Sequence, residues 1–293
     1  MKWIDWKRIL AGIFATVLMI LPVFQVYGEE EEIEFTLEDL VELEEVPIYG
    51  DVEWDFPVDL SSMDPVMISL ANQHYLLSEK DKPDPLVTMK KRKTNKDGSN
   101  ANGGVNKASS SEMMLQGECA DALVEMFEAA LGDGITLYLK SAYRSYKTQN
   151  TMYYNRLKRN GGKDDGWVSK PGASDHETGL GCDIVSRAWR DKAMNEKFAE
   201  TEEAQWLLEH AQEYGFILRY PSDKQEETEI NFEPWHYRYV GKAAAAYIMD
   251  NGLCLEEFHI RLQEAIDQFK AMGGDPAVVA PYEQICTDEE GEQ

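Results

Sequence analysis

Apolar residues recur at two characteristic spacings along the middle of the chain. From Leu115 to Leu131 they follow a helical period that stops at Gly132. Ile135, Leu137 and Leu139 then alternate as in a strand that ends at Ser141. The same patterns predict further helices near 146–159, 202–214, 242–250 and 255–270, and short strands at 180–185, 216–220 and 235–240. Short strands mixed with helices, without regular strand–helix–strand alternation, predict a single α+β domain with a small antiparallel sheet flanked by helices.

The N-terminus has a different pattern. Lys2, Lys7 and Arg8 precede an uncharged apolar run over residues 9–27, and four glutamates follow it at 29–32. A basic flank before an apolar stretch of about 20 residues is typical of an export signal or a membrane anchor. We therefore expect residues 1–28 to form an apolar helix, either cleaved or retained as a membrane anchor, and the rest of the chain to lie outside the cytoplasm.

The formal charge of -25, from 29 Lys+Arg against 54 Asp+Glu, is concentrated near the ends of the chain. Residues 29–60 carry 14 acids and no base, and residues 283–293 carry five acids and no base. This distribution predicts an acidic spacer over 29–66 and an acidic tail over 273–293, on either side of a domain at 67–272. Such a chain lacks a basic footprint for phosphates, which argues against nucleic acid as its partner.

A low-complexity stretch rich in Asn, Gly, Ser and Lys interrupts the predicted domain at residues 90–111. It is typical of a surface loop or a linker. Four cysteines in an exported protein make disulfides possible, and a bond between Cys254 and Cys286 would tether the tail. None of the cysteines has CxxC spacing, so a zinc site of the finger type is not indicated.

The five histidines lie in unlike settings. His210 and His259 lie in predicted helices, and His74 has no carboxylate cluster nearby in the sequence, so we expect these three to be structural or surface residues. His176 and His236 belong to segments with more chemistry.

His176 lies in the run Pro-Gly-Ala-Ser-Asp-His-Glu-Thr-Gly-Leu-Gly-Cys-Asp, which ends at Asp183. The glycines and the proline predict a bend, with Asp183 at the start of a strand. Imidazole and carboxylate are ligands that zinc accepts. Cys182 should face away from Asp183 because strand side chains alternate, so we exclude a thiolate ligand.

Two further segments carry candidate groups. Glu233 and His236 lie in Glu-Pro-Trp-His-Tyr-Arg-Tyr, close enough for both to serve one zinc site, one as a base and the other as a ligand. A core histidine in an aromatic strand is an equally good interpretation of that segment alone. Arg144 lies where a strand ends and a helix begins, and its paired N–H donors there would hold an oxyanion or a carboxylate.

Taken together, in this order and spacing, the three segments resemble the VanY-like D-alanyl-D-alanine carboxypeptidase family, zinc peptidases of the LAS type. The similarity covers roughly residues 67–260 and includes the run from Gly215 to Pro221. The chain departs from the usual family pattern at Ala142, at Gly181 and in the 90–111 insertion. None of these departures removes a functional group.

The resemblance implies one catalytic Zn²⁺ on the sheet, held by three ligands: His176, Asp183 and His236. It implies that Glu233 is the general base and that Arg144 stabilises the developing oxyanion. The substrate's terminal residue and carboxylate are then held by a further set of side chains: Gln149, Ser174 and Tyr220.

The expected reaction is hydrolysis of the terminal D-alanine from peptidoglycan stem peptides, by a monomer. An L,D-carboxypeptidase that acts on tetrapeptide stems shares these motifs and remains an alternative. A wall-binding module without catalysis is a third interpretation, which the intact Glu233 and metal ligands disfavour.

Overall fold

Helices and short strands alternate irregularly over residues 46–283, the part of the chain that this computed structural model describes. The strands are β1 Ile48–Tyr49, β2 Val52–Glu53, β3 Leu86–Thr88, β4 Met114–Gln116, β5 Leu137–Ser141, β6 Gly181–Ser186, β7 Phe216–Leu218 and β8 His236–Tyr239. The α-helices are α1 Gly117–Gly132, α2 Tyr146–Arg159, α3 Asp175–Thr178, α4 Glu202–His210, α5 Gln225–Thr228, α6 Lys242–Asp250, α7 Leu255–Ala271 and α8 Pro276–Glu283. Short 3₁₀ helices occur at Leu60–Ser62, Arg187–Trp189, Glu196–Glu200 and Ala211–Tyr214. The mixed helix-and-strand fold predicted from the sequence is thus confirmed.

The central sheet has four antiparallel strands in the order β5-β6-β8-β7. In this register Asp183 of β6 is the direct partner of His236 of β8. The pairing of β5 with β6 shifts between Leu139 and Ser141, at the end of β5 that leads to Arg144. Such an irregularity redirects the chain as it leaves a sheet.

Both faces of β6 are covered, since all six of its residues are buried. Cys182 and Ile184 belong to a core cluster with Leu123 and Met126 of α1. Val185 belongs to a separate cluster with Trp235. Because side chains alternate along a strand, Asp183 lies on the Val185 face, away from Cys182 and helix α1. This agrees with the orientation expected from the sequence.

A second core lies around α7 and includes residues that the sequence analysis places in the spacer. Trp54 is fully buried, and its ring packs edge-on against Phe269 with centroids 5.9 Å apart. Its indole N–H donates to the carbonyl oxygen of Val58 at 2.9 Å. The described part of the 29–66 segment is therefore packed into the domain. Its apolar side chains recur at every second position, separated by acids and by Pro57: Val52, Trp54, Phe56, Val58 and Leu60. The strong negative charge of the whole segment hides this short pattern.

The 90–111 segment is largely exposed but follows a defined path along the edge of the sheet. Lys107 forms a parallel bridge with Leu139 of β5, and the Ala108 amide donates to the Leu139 carbonyl at 2.8 Å. Val105 in the same segment is fully buried. These contacts cover the outer edge of β5, which would otherwise present unpaired backbone groups.

Several predictions fall outside the described residues. They are the apolar helix at 1–28, the spacer up to residue 45, the tail from residue 284 and the bond to Cys286. Within the tail predicted to start at 273, residues Pro276–Glu283 form helix α8, with Val279 buried. None of the helices within residues 46–283 combines the length and the apolar character needed to cross a bilayer.

Candidate metal centre

Three side chains converge above the sheet, each from a different element. His176 lies on the short helix α3, and Asp183 and His236 lie on the paired strands β6 and β8. Each offers one ligand atom, and these atoms all lie within 4.8 Å of one another. Within residues 46–283 this is the one group of three or more His, Cys, Asp or Glu residues with such an arrangement.

His176 is oriented by the backbone. Its Nδ1 donates to the carbonyl oxygen of Ala142 at 2.8 Å, and its own carbonyl accepts from the Arg144 amide at 3.0 Å. Nε2 is then left on the side of Asp183, 3.4 Å from Oδ1. A second hydrogen bond that fixes the tautomer in this way is usual for metal-binding histidines. Helix α3 ends after one turn at Gly179, whose φ of +70° suits glycine.

His236 faces the same carboxylate oxygen. Its Nδ1 lies 3.1 Å from Oδ1 of Asp183, and its ring stands edge-on to that of His176, with centroids 4.8 Å apart. The other ring nitrogen, Nε2, is buried and has no hydrogen-bond partner among the described residues. The convergent atoms are thus His176 Nε2, an Asp183 oxygen and His236 Nδ1. Two imidazoles and one carboxylate are a donor set that fits a catalytic zinc ion.

Burial and charge set the protonation of these ligands. Burial, followed by the charge of Arg144, lowers the pKa of His176, so its imidazole is neutral at neutral pH. Burial by itself would raise the pKa of Asp183, but the two imidazoles beside it bring that pKa well below its usual range. A neutral imidazole and an ionised carboxylate are the forms that bind a metal ion.

Glu233 lies next to these three candidate ligands. Its Oε2 is 3.7 Å from Nδ1 of His236, three residues along the chain. A turn holds it there, in which the Glu233 amide donates to the Tyr220 carbonyl at 3.1 Å and the His236 amide donates to the Glu233 carbonyl at 2.9 Å. Burial, and then the negative charge of Asp183, raises its pKa well above the ordinary value, while Arg144 opposes that shift.

Arg144 is held at the site by a relay of hydrogen bonds. Its Nη1 donates to Oε1 of Gln149 at 2.7 Å, and Nε2 of Gln149 donates to the Ser169 carbonyl at 2.6 Å. Gln149 is the one buried residue of helix α2. Ser145 begins that helix as its N-cap, accepting from the Thr148 amide. The strand-to-helix junction predicted from the sequence therefore directs the guanidinium towards the ligands.

All eight site residues predicted from the sequence line one cavity of about 410 Å³: Arg144, Gln149, Ser174, His176, Asp183, Tyr220, Glu233 and His236. Ser174 is buried and precedes α3 without capping it through its side chain. The Tyr220 ring lies 5.0 Å from that of His236, and burial raises its pKa well above the ordinary value.

The remaining histidines lie elsewhere. His74 pairs with Glu229 at 2.6 Å, and His210 pairs with Glu213 at 2.8 Å, both at exposed positions. His259 is buried and bonds through Nε2 to the carbonyl oxygen of Ile68 at 2.6 Å.

Some residues at the site were not predicted from the sequence. Trp167 and Met194 line the cavity from loops without a recognisable motif, and Trp167 stacks on Trp235 at 6.3 Å. Asp175 and Arg238 lie directly behind the ligands, in fully buried positions. The position of Arg238 has a sequence signal: it follows His236 by two residues in a strand, so both side chains point to one face.

Comparison with known sequences finds similar proteins among carboxypeptidases. The family profile described as "VanY: D-alanyl-D-alanine carboxypeptidase" matches residues 112–242. The chain is 43% identical over 151 residues to the protein named Putative carboxypeptidase YodJ of Bacillus subtilis, which covers 51% of this chain and 55% of that protein. It is 36% identical over 160 residues to the bifunctional D-Ala-D-Ala dipeptidase and carboxypeptidase VanXYC of Enterococcus gallinarum, covering 54% of this chain and 84% of the relative.

Solved structures give a similar result. The LdcB LD-carboxypeptidase is 35% identical, with a TM-score of 0.58 over 73% of this chain and 92% of its own. A variant of the vancomycin resistance D,D-pentapeptidase VanY in complex with Zn(II) is 28% identical, with a TM-score of 0.50 over 66% of this chain and 98% of its own. The chain spans only 55% of YodJ and 58% of the D-alanyl-D-alanine carboxypeptidase of Enterococcus faecalis.

Proposed function

Because the chain belongs to the VanY-like D-alanyl-D-alanine carboxypeptidase family, we propose that it is a zinc-dependent carboxypeptidase. Its substrate is the peptidoglycan stem peptide, from which it removes the terminal D-alanine. One observation carries the proposal: His176, Asp183 and His236 converge in a cavity that also holds Glu233 and Arg144. Relatives named for D-Ala-D-Ala cleavage support the choice of substrate.

The three ligands would hold one Zn²⁺ through His176 Nε2, an Asp183 oxygen and His236 Nδ1. A zinc ion bound there supplies Lewis acidity: it polarises the scissile carbonyl and makes water a stronger acid. The zinc complex of the similar VanY structure supports this choice of metal. All three side chains are buried, so the protein, rather than solvent, fixes their positions.

Glu233 is proposed as the general base and then the general acid. Its carboxylate would accept a proton from the attacking water and return it to the amide nitrogen that leaves. Burial raises its pKa well above the ordinary value, which makes it a stronger base than an exposed carboxylate. Proton transfer by a well-placed group contributes about 10²- to 10⁴-fold to a rate.

Arg144 is proposed to stabilise the negative charge that develops on the carbonyl oxygen. Its guanidinium is permanently charged, and Gln149 fixes it in position before the substrate binds. A donor placed in advance at such an oxygen is worth about 2.7–4 kcal/mol in other enzymes. Gln149, Ser174 and Tyr220 are proposed to hold the terminal residue and its carboxylate.

A second candidate activity is the release of D-alanine from tetrapeptide stems, as in an L,D-carboxypeptidase. The similarity to the LdcB LD-carboxypeptidase supports it, at 35% identity and a TM-score of 0.58. The cavity is compatible with both pentapeptide and tetrapeptide stems, because its proposed metal ligands and base could act on either peptide bond.

The compartment follows from the proposed substrate. Stem peptides of peptidoglycan lie outside the cytoplasmic membrane, so we propose that the domain acts there as a monomer. Residues 1–28 would direct it there as a cleaved signal or a retained anchor. The domain itself would begin near residue 46, where the described chain first packs into the core, rather than at 67.

Digestion of defined muropeptides distinguishes the two activities. Purified full-length chain is incubated separately with a pentapeptide stem and with a tetrapeptide stem, and the products are analysed by mass spectrometry. The proposal predicts loss of one alanine from the pentapeptide and a stable tetrapeptide. Faster loss from the tetrapeptide would favour the L,D-activity, and no loss from either would contradict both.

A further inference from the structure

A buried ion cluster lies behind the ring of His236. It consists of two carboxylates and two guanidinium groups, and we call it the arginine–carboxylate cluster: Asp175, Arg219, Arg238 and Glu256. Asp175, Arg219 and Arg238 are fully buried. Its four formal charges cancel. The proposed mechanism assigns no role to any of these residues.

Asp175 is held from two sides. Its Oδ2 accepts from Nε of Arg219 at 2.7 Å, and its Oδ1 accepts from Nη1 of Arg238. Burial by itself would raise the pKa of Asp175, but the charges of Arg219 and Arg238 bring that pKa below its ordinary value. The carboxylate therefore cannot rotate without breaking a hydrogen bond to one of the two guanidinium groups.

Each arginine is fixed in turn. Arg238 donates through Nη2 to the carbonyl oxygens of Met67 and Ser69, at 3.0 and 2.6 Å. Arg219 donates through both terminal nitrogens to Glu256, at 2.7 and 2.6 Å. This paired geometry is the most directional that arginine offers. The position of Asp175 is thus determined by parts of the chain far apart in sequence.

The strand geometry places this cluster against a metal ligand. His236 and Arg238 are two residues apart on β8, and the Arg219 amide donates to the His236 carbonyl at 3.1 Å on the neighbouring strand. As a result, Oδ2 of Asp175 lies 3.9 Å from Nε2 of His236. Asp183 and Glu233, the other two carboxylates beside this ring, approach it at Nδ1.

The tautomer of His236 connects the arginine–carboxylate cluster to the metal site. Its Nδ1 faces Asp183 and the other ligand atoms, so the ring proton belongs on Nε2 when Nδ1 binds a metal ion. Nε2 is the buried nitrogen that lacks a hydrogen-bond partner among residues 46–283. A buried N–H without an acceptor is costly, and the carboxylate of Asp175 lies 3.9 Å from it.

We propose that Asp175 is a positioning residue for the metal site, an inference that rests on the proposed zinc site. Its carboxylate attracts the Nε2 proton of His236, which keeps Nδ1 free, holds the ring plane and makes Nδ1 a stronger ligand. Outer partners of this kind change metal affinity by about 10- to 100-fold. Arg219 and Arg238 keep the carboxylate charged and in place.

The test measures zinc affinity in the full-length chain, by competition with a chromophoric chelator. Asp175→Asn should weaken zinc binding by about 10- to 100-fold and shift the absorption spectrum of the cobalt(II)-substituted protein. Glu256→Gln is the matched control, because it removes a carboxylate from the same cluster but leaves Asp175 facing His236. The zinc affinity of Glu256→Gln should stay within about 3-fold of that of the parent. This change is much smaller than the loss expected for Asp175→Asn. Equal losses in the two variants, or no loss in Asp175→Asn, would overturn the proposal.

A measurement on the unaltered chain tests the role of Asp175 if Asp175→Asn does not fold. Long-range ¹H–¹⁵N spectra of histidine-labelled, zinc-loaded protein should show the His236 proton on Nε2, protected from exchange with solvent. Zinc bound at Nδ1 by itself places the proton on Nε2, so the test of Asp175 is the exchange of that proton. An Nε2 proton that exchanges freely with solvent would contradict the role of Asp175. Neither measurement uses peptide hydrolysis, so the inference can fail while the proposed activity stands, and the reverse also holds.

Discussion

His236 and Asp183 are direct partners across two antiparallel strands, with Nδ1 of the histidine 3.1 Å from Oδ1 of the aspartate. Two of the three proposed metal ligands therefore take their spacing from the hydrogen-bond register of the sheet. Sites on paired strands are held more closely than sites on loops. The third ligand, His176, is added from a single helical turn that the backbone at Ala142 and Arg144 fixes in place.

Glu233→Gln should abolish most of the activity and leave the metal site intact. The amide keeps the size of the side chain but cannot accept the proton from water, so kcat should fall by about 10²- to 10⁴-fold. Release of D-alanine and zinc content are measured on the same preparation. Glu227→Gln, at an exposed position shortly before it, is the control and should behave as the parent. A Glu233→Gln protein with the parent's kcat would refute the role of base.

Arg144→Lys should lower kcat/KM by about 10²- to 10³-fold, the cost of an oxyanion donor in other enzymes. Lysine keeps the charge but cannot place two donors in one plane, and it loses the bond by which Arg144 is held to Gln149. Steady-state kinetics on a stem peptide measure the change. Lys147→Ala removes an exposed cation three residues away and should leave kcat/KM unchanged. A comparable loss in both variants would indicate a general electrostatic effect rather than a placed donor.

His259 should make the folded domain less stable in acid. Burial lowers its pKa from 6.5 to about 4, although its bond to the Ile68 carbonyl opposes this. As the pH falls from 6.5 to about 4, the unfolded chain gains this proton and the folded chain does not. The contribution of His259 to the free energy of unfolding is therefore fully present above pH 6.5 and is lost as the pH falls towards 4. This contribution is at most about 3 kcal/mol.

Urea unfolding of the metal-free chain at several pH values measures that loss. His259→Gln keeps a donor for Ile68 but does not titrate, so its free energy of unfolding should fall less over the same interval. The difference between the two proteins isolates His259 from the other titrating groups. Parallel pH curves for the two would rule out a contribution from this histidine.

Trp54→Ala should destabilise the domain by about 3–5 kcal/mol, the usual cost of removing a buried aromatic side chain. Trp54 is fully buried and its indole N–H bonds to Val58, so both packing and a hydrogen bond are lost. Ile48→Ala, at a site 64% exposed on the same segment, is the control and should change stability by about 0.5 kcal/mol or less. Similar stabilities for Trp54→Ala and the parent would mean that this segment lies outside the folding unit.

The grouping of the candidate site residues was predictable from sequence because these residues occur in short segments whose geometry is local. Strand alternation alone separates Asp183 from Cys182, and the structure places them on opposite faces of β6. Helix α3 was not predicted, since a helix of four residues has no periodic pattern and depends on contacts with Ala142 and Arg144.

Other features depend on contacts between distant segments. The pairing of Asp175 with Arg219 and Arg238 joins residues that lie 44 and 63 positions apart. The packing of Trp54 was hidden because the acids around it dominate the composition of the 29–60 segment. Composition describes the charge of a segment but not which of its side chains find a core.

The central claim is zinc-dependent release of D-alanine, and one titration tests it most directly. The full-length, zinc-loaded chain is incubated with a stem peptide that ends in D-Ala-D-Ala, and free D-alanine is measured before chelation, after chelation and after stoichiometric zinc is returned. The account predicts release that stops with the chelator and recovers with zinc, and no release by Asp183→Asn at any stage. Release that persists in the chelator, or a zinc-loaded chain that releases no D-alanine, would contradict it.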